Sequence, residues 1–435
     1  MHCKAATTTQ EIAFGFAPAA RRTLRILLGL ILMLALHPGQ LQAQARRSSA
    51  GKPTPGEKYL LDQVAAGKVA DFKTAMTNAT DRVVRAALLE ELLAGSRTDC
   101  DIHRNGVLIE GIVVRDAVDL RNVRIPHDIR FANCRFEGEV NFSKSEFENT
   151  LSFEGSTFAG PASFYAMHVS RGIFLTGTVF QGHADFTQME VAGSLMAGDA
   201  QFTHPQLAAD FVNLKVGGVA FFTNAVFAGP ANFQYSHTTE ALRFDGARFT
   251  SVTGLACFEA MRVDGSVSFK DATLAGYLSL KDATCTSLDL TAVRWPAQSA
   301  HEWLWLNGLT YRRIISGSEQ ESAGNLFTLV DRAAHGTAYS MDIYTRLSAF
   351  YRRDGYPRQA NQFYIAQKRR ERAEVLHGLP HAWSLFLDVF VGYGRSPERA
   401  IFWSLAIILF GTVIFRAKDM EPRNPALAVD GFSPF

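Results

Sequence analysis

The chain has 435 residues, 47% hydrophobic and 20% charged, with a formal net charge of +2. That balance belongs to a folded chain with room for two or three domains, and it excludes a disordered polyelectrolyte or a strongly basic nucleic-acid binder. Five cysteines, Cys3, Cys100, Cys134, Cys257 and Cys285, show no C-x-x-C spacing, so neither a zinc site nor a redox pair is indicated and buried small side chains are expected.

First in chain order comes a targeting segment. Arg21, Arg22 and Arg25 precede the apolar run 26–36, then Pro38, Gly39 and Ala43-Gln44-Ala45, a pattern that fits cleavage after Ala45. Residues 1–45 read as a bacterial secretory signal, with a twin-arginine signal and an uncleaved anchor as alternatives. The run is short for a bilayer span, which favours cleavage. Residues 46–56 read as a linker and 57–106 as a helical cap, in which TDRVVRAALLEELL starts a helix with Thr80 or Asp81 as N-cap. A partner-binding helix is the alternative reading of that stretch.

From residue 109 the apolar residues keep a different count. FANCRFEGEVNFSKSEFENTLSFEGSTFAGPASF carries Phe131, Phe136, Phe142, Phe147, Phe153, Phe158 and Phe164, with gaps alternating five and six. Two interleaved rows of period eleven run from Ile109 to Phe202. They resume at Phe211 after a slip near His204-Pro205, reach Leu255, slip again near Cys257, and continue from Phe258 to Leu290. Self-similarity over this distance is a repeat architecture.

An eleven-residue period also suits an α-helix. Residues five apart would then lie about 140° round the axis, leaving no single buried stripe. Gly138, Gly155, Gly160, Gly182 and Gly229 would each cost about 1 kcal/mol in a helix interior. Instead, a small or aliphatic residue stands two before each ring, as at Cys134, Val140, Ser145, Leu151, Ser156 and Ala162. An inward pair followed by a three-residue corner is a short β-segment and a turn. Gly138, Gly160, Gly182 and Gly229, each two after a ring, are expected to supply the positive φ of that turn.

These residues resemble the pentapeptide-repeat family, in a Phe-rich branch with alternating five and six spacing and of the membrane-linked bacterial type. The resemblance implies a right-handed quadrilateral β-helix over 107–293. The fold class expected is thus an all-β solenoid flanked by α-helical caps and followed by a C-terminal transmembrane helix. About 22 residues per coil and about 4.8 Å between stacked strands give roughly eight coils and a rod near 40 Å long. Its expected core ladder is Phe131, Phe136, Phe142, Phe147, Phe153, Phe158, Phe164, Phe180, Phe186, Phe202, Phe222, Phe227, Phe233, Phe244, Phe249 and Phe269.

Trp295-Pro296 is expected to end the repeat. Within 294–378, LWLNGLTYRRI resembles a closing strand found after such rods, and 340–377 reads as two helices around Arg353-Asp354-Gly355-Tyr356, spaced much like a tetratricopeptide hairpin. The hairpin reads as cap and connector, or else as a docking surface. Residues 379–398 read as an interfacial segment, 399–416 as a transmembrane helix and 417–435 as a tail. The apolar run 400–415, between Arg399 and Arg416, would be about 24 Å long as a helix, made sufficient by snorkelling arginines. The cleaved signal places the β-helix in the periplasm, anchored in the inner membrane; the cluster Lys368, Arg369, Arg370, Arg372 argues for the other side. YGRSPERAIFW resembles the junction to a potassium-channel-like pore, but one span without T-V-G-Y-G forms no such pore.

No G-x-S-x-G, H-E-x-x-H or Walker A pattern occurs, and no catalytic, metal or cofactor residue is indicated. Glu137, Glu139, His168, His183, His204 and Asp185 fall at outward positions, where a solvated face explains them. The rod's modest acidic excess does not make it a DNA mimic, and no nucleic-acid partner is expected. The chain is expected to be a non-enzymatic, membrane-tethered scaffold for an unknown protein partner at the cell envelope. An envelope enzyme cleaving glycan with Glu137, Glu139, His183 and Asp185 is one alternative, and a regulatory domain for a membrane channel or transporter is the other.

Overall fold

The structure is a computed structural model that describes residues 52–296, 304–317, 324–330 and 341–414. The expected signal, most of the linker, the last two residues of the expected span and the tail lie outside the described residues. The chain divides into two units, 1–54 and 55–435, and every described helix and strand belongs to the second.

The unit opens with helices Pro55–Ala65 (α1), Phe72–Ala75 (α2) and Ala86–Leu93 (α3). They close the first coil of a β-helix by joining it. Ala70–Asp71 pairs in parallel with Ile109–Glu110, Val83 bridges to Val113, and Glu90 accepts the Asp119 N–H at 2.7 Å, so the coil's open edge is not left unpaired. The expected N-cap at Thr80 or Asp81 is not where the helix starts. Ala79–Arg82 is a 3-10 turn, Val83 and Val84 add to the ladder, and α3 begins only after Arg85, which has no side-chain cap. Two β-branched residues in extended backbone separate the turn from the helix. Arg85 instead donates through its backbone N–H and its guanidinium to the fully buried Glu57, at 2.7–3.1 Å.

Four parallel ladders follow, one per side of the β-helix, in a parallel β-solenoid of about nine turns. Successive coils pair Ile129 with Leu151 on the first side, Arg135 with Thr157 on the second, Val140 with Ala162 on the third and Glu146 with His168 on the fourth. Three sheets result rather than four, because Arg262–Ser268, Thr284–Asp289 and Thr310–Ile315 run on through a corner and merge the first and fourth sides.

Inside, rings stack coil upon coil. On the second side Phe136, Phe158, Phe180, Phe202, Phe227 and Phe249 form a column with centroids 4.9–5.1 Å apart and planes within 10°. Phe142, Phe164, Phe186, Phe211, Phe233 and Phe258 form a second column on the third side, meeting the first edge to face. On the first side Phe131 stacks on Phe153 and, beyond Leu175 and Ala197, Phe222 on Phe244 and Phe269. Phe147 lies buried on the fourth side, where Val169, Val191 and Val216 succeed it. Each ring contributes about 1.5–3 kcal/mol by burial, and each favourable pair about 0.5–1.5 kcal/mol more. Hydroxyls at the inner partner positions are satisfied: Ser156 Oγ donates to Phe131 O at 2.8 Å and Thr178 Oγ1 to Phe153 O at 2.8 Å. Leu255 is not an inward centre. The strand Leu255–Cys257 turns Ala256 inward and leaves Leu255 half-buried.

The corners differ from expectation in an instructive way. Gly138, Gly160, Gly182 and Gly229 do not have positive φ. They sit at the six-residue corners, where a Cβ would lie 2.5–2.7 Å from the backbone of the coil before, so what demands glycine there is close approach. Positive φ belongs to the five-residue corners, two after each centre on the first and third sides: Asn122, Asn133, Lys144, Ala166, Gln188, Asp199, Asn213 and Asn224 among them. Asn and Asp recur there because they tolerate the left-handed region better than other side chains.

Nor does the repeat end at Trp295-Pro296. Leu304–Trp305 pairs with Leu278–Ser279 and Thr310–Ile315 with Thr284–Asp289, adding a coil that buries Leu304, Leu306, Leu309 and Ile314. Gly308, φ 73°, is the corner two after Leu306. A helix at 324–330 (α4) and the hairpin Met341–Arg353 (α5) and Pro357–Glu374 (α6) follow. The hairpin covers this last coil: Asp342 accepts the Gly308 N–H at 2.8 Å, Arg353 donates to Arg312 O at 2.6 Å, and Phe350 packs edge-on against Tyr311. Leu379–Val391 (α7), a turn at Gly392–Gly394 and Pro397–Ile414 (α8) complete the described chain.

Candidate functional site

The outward positions of the β-helix form columns. On the fourth side Arg124, Glu146, His168, Glu190, Lys215, His237 and Arg262 stand one above another. Neighbours pair, as Lys215 with Glu190 at 2.6 Å, while His237 and Arg262 reach Asp264 at 3.2 and 2.8 Å. On the third side Asn141, Asp185 and Asn232 use their side-chain oxygens to accept the backbone N–H two residues on, fixing their own corners. The first side is different. Its column reads Arg130, Ser152, Phe174, Met196, Phe221, Arg243, so three half-buried apolar side chains on consecutive coils lie between two arginines, and the Arg243 guanidinium stands 5.8 Å from the Phe221 ring centre.

The acid and histidine residues singled out by sequence are not gathered. Glu137 and Glu139 are exposed, Glu137 facing Arg115 and Arg135. His183 and Asp185 lie two coils further on, about 10 Å along the rod, and His183 Nε2 pairs with Asp210 at 2.9 Å. His168 faces Glu190, and His204 Nδ1 accepts from the backbone N–H groups of Gln206 and Leu207. Among the described residues no three His, Cys, Asp or Glu side chains are grouped to hold a metal ion. Cys100, Cys134, Cys257 and Cys285 are buried and free, and burial pushes the Cys134 and Cys285 thiols up to about 12, which leaves them protonated and unreactive.

The unusual chemistry sits at the C-terminal end. In α7 the buried side chains are Ser384 and Asp388, four residues apart, while Trp383 is 62% and Phe386 45% exposed. This helix is inside out for an aqueous protein. Asp388 is held by Arg369, through Nε and Nη2 at 3.0 Å, and by Arg372 through Nη1 at 3.0 Å. Burial opposes its ionisation, but those charged hydrogen bonds outweigh burial and hold the carboxyl below its ordinary value. Tyr393 OH, brought in by the left-handed turn at Gly392 and Tyr393, accepts from Arg372 and bonds Ser384 Oγ.

The same turn starts α8 against the end of α7. Arg399 donates to Asp388 O at 2.8 Å and Trp403 Nε1 to Val389 O at 3.1 Å, satisfying carbonyls in the last turn of α7. Trp383, Phe386, Phe390 and Trp403 form a continuous ring stack on the outer surface. None of the residues of α8 is buried, and the helix is long and apolar enough to cross a membrane. Between α5, α6 and the turn before α8 lies an open cleft of about 660 Å³ lined by Arg352, Arg353, Lys368 and Arg395.

Sequence reading did not single out Asp388 or this cleft. The signal for the first was present, since Ser384 and Asp388 are the only polar pair spaced i, i+4 in the apolar run LPHAWSLFLDVFV. The cleft had none, because Arg352 and Arg395 are brought together only by packing.

Continuous parallel ladders around stacked rings, closed at both ends by helices, define a β-solenoid with an appended apolar helix. The family model described as pentapeptide repeats (9 copies) matches residues 120–168, a stretch that lies within the β-solenoid. The geometric repeat runs further than that match, through Ile315. No curated protein and no solved structure matches the chain.

Proposed function

We propose that this protein is a non-enzymatic scaffold, tethered to the bacterial inner membrane by α7 and α8, that presents its β-helix on the periplasmic side to a protein partner. The observation that carries the tether is the inversion of α7: its polar side chains turn inward to arginines while its rings join an α8 that buries nothing. Such a surface is unfavourable in water and favourable where aromatic rings meet a lipid interface. The periplasmic side follows from the secretory reading of residues 1–45. For the partner, the Phe174, Met196 and Phe221 column is the favoured contact, because stacked apolar side chains bracketed by arginines suit the apolar centre and polar rim of an interface.

Fractionation of cells expressing the full chain tests the tether. The protein is expected in the membrane fraction after alkaline carbonate washing, and recovery of the intact chain in the soluble fraction would overturn the reading. A reporter fused after Val293 that is active only in the periplasm checks the side. Met196→Glu is expected to abolish a stoichiometric complex recovered from solubilised membranes, and an unaffected complex would remove that face as the contact.

A further inference from the structure

The basic residues near the foot of α8 are of two kinds. Arg369 and Arg372 are engaged with Asp388, Arg370 with Glu374 at 2.6 Å, and Lys368 with Glu371 at 2.7 Å. Arg352 and Arg395 face no carboxylate among the described residues. Both line the cleft between α5 and α6, together with Arg353 and Lys368, and no acidic side chain lines it. The Arg395 guanidinium is held 4.9 Å from the Tyr364 ring centre, which orients it without neutralising it. A concave site with uncompensated guanidinium groups focuses positive potential and matches the geometry of a phosphate. Its volume of about 660 Å³ suits a small polar group.

Position decides which phosphate. Arg395 precedes Pro397, the first residue of α8, by two residues, at most about 7 Å of chain. The polar headgroup layer on each side of a bilayer is about 5–8 Å deep. On the tether reading above, on which this inference rests, the cleft therefore lies at the level of the lipid phosphates.

We propose that this cleft binds the headgroup phosphate of an anionic phospholipid, with Arg352 and Arg395 as its principal ligands and Lys368 in support. The lipid would fix the hairpin, and through it the β-helix, at a set height and angle on the bilayer.

Native mass spectrometry of the full chain, purified in a neutral detergent doped with phosphatidylglycerol or phosphatidylcholine, tests this. Phosphatidylglycerol is expected to be retained and phosphatidylcholine not. The Arg352→Gln/Arg395→Gln variant is expected to lose retention by about tenfold, Arg352→Gln alone by less, and Arg248→Gln on the rod not at all. Inorganic phosphate is expected not to displace the lipid. Equal retention of the two lipids, retention unchanged in the double variant, or displacement by inorganic phosphate would each overturn the proposal, the last by making a free anion the ligand. Failure of the tether reading would look different, since the chain would then need no detergent at all.

Discussion

The β-helix and the helical foot bury opposite things. In the rod, columns of phenylalanine face inward, and charged residues face outward in pairs one coil apart. In α7 a carboxylate faces inward, held by arginines of the neighbouring helix, and the rings face outward. Apolar burial is roughly additive along a stack, because each coil touches only its neighbours and adds its own increment. A buried charge is different: Asp388 is tolerable only while its arginines are in place. The rod is therefore expected to fail gradually with lost rings and the foot abruptly with one lost charge.

The largest effect should come from the middle of a ring column. Phe180→Ala is expected to cost about 3–5 kcal/mol, read as a lowered denaturant midpoint, whereas Phe402→Ala on exposed α8 should leave rod unfolding within about 0.5 kcal/mol. Equal effects would erase the contrast between the two regions.

Asp388→Ala is expected to cost about 3 kcal/mol locally, detected as faster amide exchange in α7 with the rod unchanged. The same contact carries a pH dependence. The folded carboxyl titrates below its unfolded value of about 3.9, so its stabilisation is complete above that value and is lost as pH falls through the folded pKa. Exchange in α7 should therefore rise below about pH 4 in the wild type and show no such step in Asp388→Ala.

The corners give a sharper pair. Gly160→Ala puts a Cβ against the Gly138 backbone and is expected to cost about 1–3 kcal/mol. Asn213→Ala, at φ 55°, is expected to cost about 1 kcal/mol, and Asn213→Gly close to nothing. Smallest of all, Lys215→Ala on the fourth side should cost about 0.5 kcal/mol, and the difference should vanish in high salt.

Much of the rod was legible because its period is local. Phe131 to Phe164 count out the corners themselves, and an inward pair plus a turn repeats whatever surrounds it. The errors came where a residue's reason lay one coil away. Gly138 looked like a turn glycine, but the constraint on it is the backbone at Asp116, 22 residues earlier. The last coil was hidden for a related reason: residues 297–303 interrupt the count, yet LWLNGL keeps the inner pair Leu304 and Leu306 and the corner at Gly308. At the foot, hydropathy marked α7 and α8 but not which way α7 faces, since that depends on Arg369 and Arg372 of another helix.

The amino-acid order by itself determined the solenoid, its four sides and the apolar character of α8, because each follows from spacing between near neighbours in the chain. Only the tertiary structure decided which corners carry positive φ, where the ladder stops, that Asp388 is the buried side of α7, and that Arg352 and Arg395 share a cleft. Apart from the corner dihedrals, those features are contacts between residues 16 or more apart in sequence, and no local period encodes which partner a side chain meets across such a distance.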